Sequence, residues 1–224
     1  MMETLEGSFE GIGVQFNIMN DTVMVIATVS GGPSEKAGLR AGDRITSVNG
    51  KSIAGVGIQS EQVFKLLRGK KGTKVKVGIH RPGFKETYHY EITRNVIPTY
   101  SVDIAYMVNK NTGYIKINEF GNTTADEFAR AIVKLQKQGM TSMIVDLRGN
   151  PGGFLDAAVS VCDEMLPNKK KIVSIEGLKV PPEVIYATRK GHFETGKVAI
   201  LIDDFSASAS EIVAGAIQDN DRGI

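Results

Sequence analysis

Three serines stand at alternate positions in residues 203–216, DDFSASASEIVAGA: Ser206, Ser208 and Ser210, with only alanine between them. A helix-like pattern follows at once. Hydroxyls at this density can do one of two things. Ser208-Ala209-Ser210-Glu211 matches a capping box, in which a serine and a glutamate satisfy orphan amides at a helix start. Alternatively, one serine is a nucleophile, which requires a base for its proton and donors for the developing oxyanion. A cap alone does not call for small neighbours. Ala207 and Ala209 leave room for a substrate backbone, and a helix N-terminus adds free N–H groups and a positive dipole end.

A second stretch, VDLRGNPGG, supplies what a cap would not need. Gly152 and Gly153 follow Pro151 at a strand end and can present amides to an oxyanion; the plainer reading is a strand-to-helix turn. For the base, three histidines are available. His80 and His89 fall on strand patterns and read as surface residues. His192, in RKGHFETG, lies in a polar segment with no partner legible in the sequence. Lys190 and Lys197 precede the serines. Nothing in the chain calls for a metal or a cofactor. Cys162 stands alone among Ala158, Val161 and Met165, so it reads as a buried thiol outside any disulfide framework.

These groups need elements to hold them, and the bulk composition allows ordinary ones. The 224 residues are 42% apolar and 23% charged, with a net charge of +2. That charge is too small to argue for a nucleic-acid partner. Lys169, Lys170 and Lys171 read as a solvated turn. No run reaches the ~20 apolar residues of a membrane span, and MMETLEGSFEG lacks the basic-then-apolar layout of a signal peptide.

The rhythm changes part-way along the chain. Up to about residue 95 it reads as short strands and turns: GIGVQFNI and TVMVIATV around Asn20-Asp21, then RITSVNG, TKVKVGIHR and ETYHYEITR. Two short helices interrupt them. One begins at Pro33 and stops at Gly38; the other has Ser60 as its expected N-cap and stops at Gly69. Beyond TRNVIPTYSVD, strands alternate with helices. GYIKINEF, TSMIVDLRGN, KIVSIEG and KVAILIDD are strands; TADEFARAIVKLQKQG (capped by Thr123 or Thr124), FLDAAVSVCDEML and ASEIVAGAIQD are helices. That alternation predicts βαβ units and a largely parallel sheet. Sites in such sheets lie beyond the carboxyl ends of strands, where both DLRGNPGG and DDFSASAS fall.

In the first half, Gly11 and Gly13 flank Ile12 just before a strand, an arrangement that lets successive amides face one anion. Together with GPSEKAGLRAGDRITSVNG, this segment resembles a PDZ domain over about residues 8–95. The resemblance implies that an extended peptide adds a strand at the sheet edge, its terminal carboxylate on the loop Gly11, Ile12, Gly13 and Val14 and its side chains near Val63 and Leu67. The plainer reading puts Val63 and Leu67 in the domain core.

PDZ domain, DLRGNPGG and SASASEIVAGAIQD together resemble the carboxyl-terminal processing, or tail-specific, serine proteases of the bacterial cell envelope. The resemblance implies an α+β PDZ domain, barrel-like with two helices, over residues 1–97. A partial α/β core of the ClpP/crotonase type follows over residues 98–224. It implies Ser208 as nucleophile, with Ala209 and either Gly152 or Gly153 as oxyanion amides. The base would be a lysine in a Gly-Lys-Gly segment beyond Ile224, so the expectation is a truncated and silent catalytic unit that would self-associate through exposed edges. Protein C-termini are the expected partners. The alternative is a peptide-binding module without catalysis.

Overall fold

Lys74–His80 reads KVKVGIH, and the strand it forms buries Val75, Val77 and Ile79 while Lys74 and Lys76 face solvent. This period of two builds the first half of the protein. In the computed structural model, which describes residues 5–178, 180–188 and 190–224, the chain divides into two units. One is Ser8–Pro98. The other is Thr99–Ile224, joined by the described N-terminal residues up to Gly7, where Asn122 N–H donates to Leu5 C=O at 2.8 Å.

The Ser8–Pro98 unit holds strands β1 (Ser8–Gly11), β2 (Val14–Met19), β3 (Thr22–Thr28), β4 (Arg44–Val48), β5 (Lys51–Ser52), β6 (Lys74–His80), β7 (Thr87–Thr93) and β8 (Asn95–Pro98). Its antiparallel sheet runs β2-β3-β4-β6-β7, with β5 against β4; β1 and β8 form a separate pair. Asn20 and Asp21 both have φ near +50°, the left-handed pair of a two-residue hairpin. Helix α1 (Pro33–Ala37) opens on Pro33 and ends on Gly38 at φ +97°.

Helix α2 (Ser60–Leu67) corrects one expectation. Its N-cap is Gln59, whose backbone is extended and whose N–H donates to Gln62 Oε1 at 2.9 Å; Ser60 is already helical. A glutamine pair therefore does the reciprocal capping that was assigned to the serine.

One buried ion pair fastens this unit. Asp43 is 1% exposed and accepts both Arg81 Nε at 2.7 Å and Arg81 Nη2 at 2.9 Å. Its Oδ2 also accepts the Arg40 N–H at 2.9 Å, so the carboxylate closes the AGLRAGD loop onto β6.

The second unit holds β9 (Ile104–Met107), β10 (Thr112–Lys116), β11 (Ser142–Asp146), β12 (Lys171–Gly177), β13 (Val180–Tyr186) and β14 (Lys197–Leu201). Its sheet runs β14-β11-β10-β9, with β11 parallel to both neighbours and β9 antiparallel at one edge. Helix α3 (Thr124–Gln136) buries Phe128, Ala131, Ile132 and Leu135, one stripe at helical spacing. It begins after Thr123, with no side-chain cap. Helix α4 (Leu155–Asp163) buries Val161 and Cys162, and α5 (Ala209–Asp219) buries Val213, Ala216 and Ile217. Burial pushes the Cys162 thiol well above the ordinary thiol range, which makes it inert.

The KIVSIEG strand does not join the sheet as expected. It forms β12 and pairs antiparallel with β13 in a two-stranded ribbon. Pro181 and Pro182 within β13 have no N–H to donate and suit an edge position only. In place of a fifth strand, the last residues run along β14: Ile224 N–H donates to Val198 C=O at 3.2 Å and Ile200 N–H to Ile224 C=O at 2.7 Å, a parallel rung.

Removing Asp43 strands the Arg81 guanidinium without its partner. Asp43→Ala should lower unfolding free energy by about 3–5 kcal/mol, measured by urea denaturation of the 8–98 unit and of the whole chain. A loss below about 1 kcal/mol, the value of a surface pair, would show that this bridge does not hold the loop.

Candidate active site

The turn between β14 and α5 is built around one strained residue. Ser208 has φ +55° and ψ −112°, a backbone that L residues with a side chain rarely adopt. Strain of this kind survives only where surrounding bonds impose it. Here Ser208 N–H donates to Glu211 Oε2 at 2.6 Å, while the amides of Glu211 and Ile212 donate to Ser208 C=O at 2.9 and 3.1 Å. The capping box is thus present, and the Ser208 side chain stands exposed at the start of α5.

Glycines 152 and 153 meet this turn closely. A Cβ on Gly152 would lie 2.7 Å from Ala207 O, 2.9 Å from Ser208 Cβ and 3.1 Å from Ala209 N, so only glycine fits against the serine row. Gly153 is constrained from the other side: a Cβ there would lie 2.2 Å from Phe120 O. Phe120 N–H donates to Gly152 C=O and Phe154 N–H to Phe120 C=O, a single parallel rung that fixes Gly153. Gly152 N–H donates to Asn150 Oδ1 at 2.8 Å. Among the described residues, the N–H groups of Gly153 and Ala209 have no acceptor.

The residue that unites the two stretches is Asn150, which is fully buried. Its side chain donates to Ile117 C=O at 2.9 Å and accepts from Gly152 N–H. Its carbonyl accepts the Ala207 N–H at 3.1 Å and the Ser210 hydroxyl at 3.0 Å. Sequence reasoning passed over Asn150; its one visible signal was an amide side chain directly before Pro-Gly-Gly.

The other serines have structural partners. Ser206 Oγ donates to Leu147 C=O at 2.9 Å and accepts the Asp203 N–H at 2.9 Å. Asp203 Oδ1 accepts the Gly149 N–H at 2.8 Å. That amide, with the Phe205 N–H and the Ser206 hydroxyl, holds the Asp203 carboxyl below the usual carboxylate range. The three serines thus divide: Ser206 and Ser210 bond the neighbouring turn, and Ser208 is exposed.

Asp146, at the end of β11, anchors the same turn from below. It is 2% exposed and accepts Tyr114 Oη at 2.6 Å, Lys116 Nζ at 3.3 Å, and the Arg148 N–H and Nη2 at 2.9 and 2.7 Å. Lys116 Nζ also donates to Arg148 C=O. Burial alone would raise the Asp146 carboxyl, but the Arg148 guanidinium and the Tyr114 hydroxyl outweigh it and hold the group far below the usual range.

One of the three histidines departs from expectation. His80 and His89 lie on β6 and β7 of the first unit. His192 does have a partner: its Nδ1 lies 2.5 Å from Oε2 of the buried Glu164, a pairing across 28 residues that no local pattern reveals.

In the first unit, Gly13 has φ +73° and turns the chain into β2. Ile12 is 1% exposed, and its C=O accepts both the N–H and the hydroxyl of Ser34 at 3.0 and 2.7 Å. Among the described residues, the amides of Ile12 and Gly13 have no acceptor. Strand β2 is a sheet edge. Val63 and Leu67 are buried in the core of this unit, while Phe64 stands on the outer face of α2 with its ring 5.1 Å from that of Phe16 on β2.

Comparison with known proteins matches each unit to a family. Residues 111–224 match peptidase family S41, and residues 25–81 match a PDZ domain. The chain belongs to peptidase family S41. Its S41 relatives include the carboxy-terminal processing proteases CtpA and CtpB of Bacillus subtilis (strain 168). CtpA is 37% identical over 97% of this chain and 46% of its own length; CtpB is 34% identical over 97% and 45%. A solved photosystem II D1 C-terminal processing protease is 28% identical with a TM-score of 0.52, covering 99% of this chain and 60% of its own. The chain thus spans about half the length of the curated S41 relatives it matches.

A depressed carboxyl contributes stability above its unfolded pKa and loses it as pH falls toward its folded value. Replacing Asp146 with asparagine should therefore destabilise this S41 unit by roughly 3 kcal/mol near neutral pH. The gap between the two proteins should narrow steadily below about pH 4, where the unfolded carboxyl takes up its proton. Urea titrations of both across pH 3 to 7 measure it, and a gap that stays constant over that range would contradict the assignment.

Proposed function

We propose that the protein is a serine endopeptidase that recognises and cuts near protein C-termini, with Ser208 as nucleophile and Ala209 and Gly153 as oxyanion amides. The observation that carries this reading is the strained backbone of exposed Ser208, set at a helix start beside two amides without acceptors. Gly152 is the less suitable donor because its N–H is engaged by Asn150. The reaction runs as acyl transfer. A base takes the Ser208 proton, Oγ attacks the peptide carbonyl, and the two amides take up the negative charge on its oxygen. The C–N bond then breaks, the amine leaves with the proton, and water releases the acyl group.

The base in this reading is a lysine that lies further along the chain than Ile224. The parallel rung between Ile224 and β14 favours it, because a chain continuing in that direction runs toward the β14 end that leads to Ser208. Burial there would lower the lysine pKa enough for it to accept a proton. The PDZ unit supplies recognition: a substrate tail adds a strand along the free edge of β2 and sets its carboxylate on the Ile12, Gly13 and Val14 amides. A place in the bacterial cell envelope accompanies this reading; among the described residues, no helix is long and apolar enough to cross a membrane.

Two measurements test the two halves separately. A peptide with an apolar C-terminal residue should bind the 8–98 unit with a dissociation constant of about micromolar to millimolar, and its C-terminal amide should bind much more weakly. Equal affinity of acid and amide would remove the carboxylate from the reading while leaving catalysis untouched.

For catalysis, the 224 residues alone should show no cleavage above background, and the protein extended to the length of its relatives should cleave. In that extended protein, Ser208→Ala should reduce the rate by about a thousandfold or more while lowering stability by only ~1 kcal/mol, the value of a lost cap. Cleavage by the extended Ser208→Ala protein at the parent rate would assign the nucleophile elsewhere.

A further inference from the structure

Helix α3 carries Arg130 and Lys134, and Lys137 is its C-cap; at i, i+4 and i+7 the three cations share one side. Like charges at this spacing repel and weaken a helix. Among the described residues, none of the three has an acidic partner. Two nearby acids are otherwise engaged: Glu127 accepts the Val102 N–H at 2.9 Å, and Asp103 accepts Asn118 Nδ2 at 2.8 Å. The three cations line a cleft of about 630 Å³ in which Ala129 and Val133 supply apolar surface, Asp126 the one acid and His192 a further wall.

That wall is built rather than incidental. Glu164, 2% exposed, accepts both the His192 N–H at 3.0 Å and holds Nδ1 at 2.5 Å. Gln136 Nε2, from α3 itself, donates to His192 C=O at 2.7 Å. Arg222 donates to the C=O groups of Phe193, Gly196 and Met165 and fixes the segment from behind. Burying a carboxylate is unfavourable unless its bonds are satisfied, and here its contacts orient one half-exposed imidazole. With Nδ1 occupied, Nε2 is the ring nitrogen left for a ligand.

We infer that this cleft binds a phosphate-type anion, either a soluble phosphoester or the headgroup of an anionic lipid. Three cations against Asp126 leave an excess of about two positive charges, which suits a dianion better than a single carboxylate. A guanidinium pairs with phosphate oxygens in a fork, and ammonium groups complete the shell as point charges. A concave wall concentrates the field that a convex helix face would spread. The apolar surface of Ala129 and Val133 can take the carbon side of an ester.

The test is an NMR titration of the 224-residue protein with inorganic phosphate, against chloride at equal ionic strength. Phosphate should produce saturable amide shifts confined to residues 129–138 and 190–193. The double variant Lys134→Gln/Lys137→Gln, with an unchanged melting temperature, should weaken binding by at least about fivefold. His192→Gln should also weaken it, and Ser208→Ala should not. In parallel, the protein is sedimented with phosphatidylglycerol vesicles and with phosphatidylcholine vesicles. Phosphate shifts without sedimentation support a soluble phosphoester, and selective sedimentation lost in the double variant supports a headgroup. Shifts no larger than those in chloride, with no selective sedimentation, would overturn the inference. So would binding that the double variant leaves unchanged, or binding of a polyglutamate peptide alone.

Discussion

A single buried asparagine makes the two halves of the candidate site into one object. Asn150 bonds the glycine turn through its side chain and the serine row through its carbonyl, and it reaches Ile117 just past β10. The bonds of Asn150 to Ile117, Gly152 and Ser210 are buried, so leaving any of those groups without a partner would be unfavourable by about 1–3 kcal/mol. The arrangement is therefore close to all-or-none. Gly149 and Leu147 repeat the pattern toward Asp203 and Ser206. The elements beneath, β11 and β14, need only deliver two strand ends side by side, which their parallel pairing does.

Against that frame the strain at Ser208 acquires a cause. Gly152 approaches the serine row so closely that no Cβ fits between them, and the row must pass over it in a tight arc. Ala207 and Ala209 keep the arc narrow. The positive-φ backbone of Ser208 sits where this arc must still enter a helix. Small residues, glycine and strain are one geometric requirement expressed at successive positions.

Much of this was legible in the residues. Period-two alternation marked most of the strands, and the apolar stripe of TADEFARAIVKLQKQG marked α3. The positions of DLRGNPGG and DDFSASAS at strand ends placed both stretches on one rim. What escaped was non-local. Nothing in RKGHFETG names Glu164, which lies 28 residues earlier, and Asp146, Tyr114 and Lys116 meet only because β10 and β11 pair in register. The ribbon of β12 with β13 was missed because Pro181 and Pro182 argue against a strand unless an edge is free to take them. The cap of α2 was misassigned because serine is the commoner cap, and the competing Gln59–Gln62 pair is settled by backbone angle, not residue type.

The contact between Phe16 and Phe64 has a bearing on how tightly the first unit can hold anything. The two rings join β2 to the outer face of α2, across the space that a side chain of an added strand would enter. A tilted aromatic pair contributes about 1 kcal/mol beyond its buried area, and that contact must be broken before the space opens. If a tail binds there as proposed, the unit without it would favour the ring-paired form, and the apparent affinity would be the intrinsic one scaled by the open fraction. Its grip on a chain end, on that reading, would be weaker by roughly the factor of five that 1 kcal/mol represents. On the proposed reading, the tails favoured would be those offering enough contact to replace the ring pair.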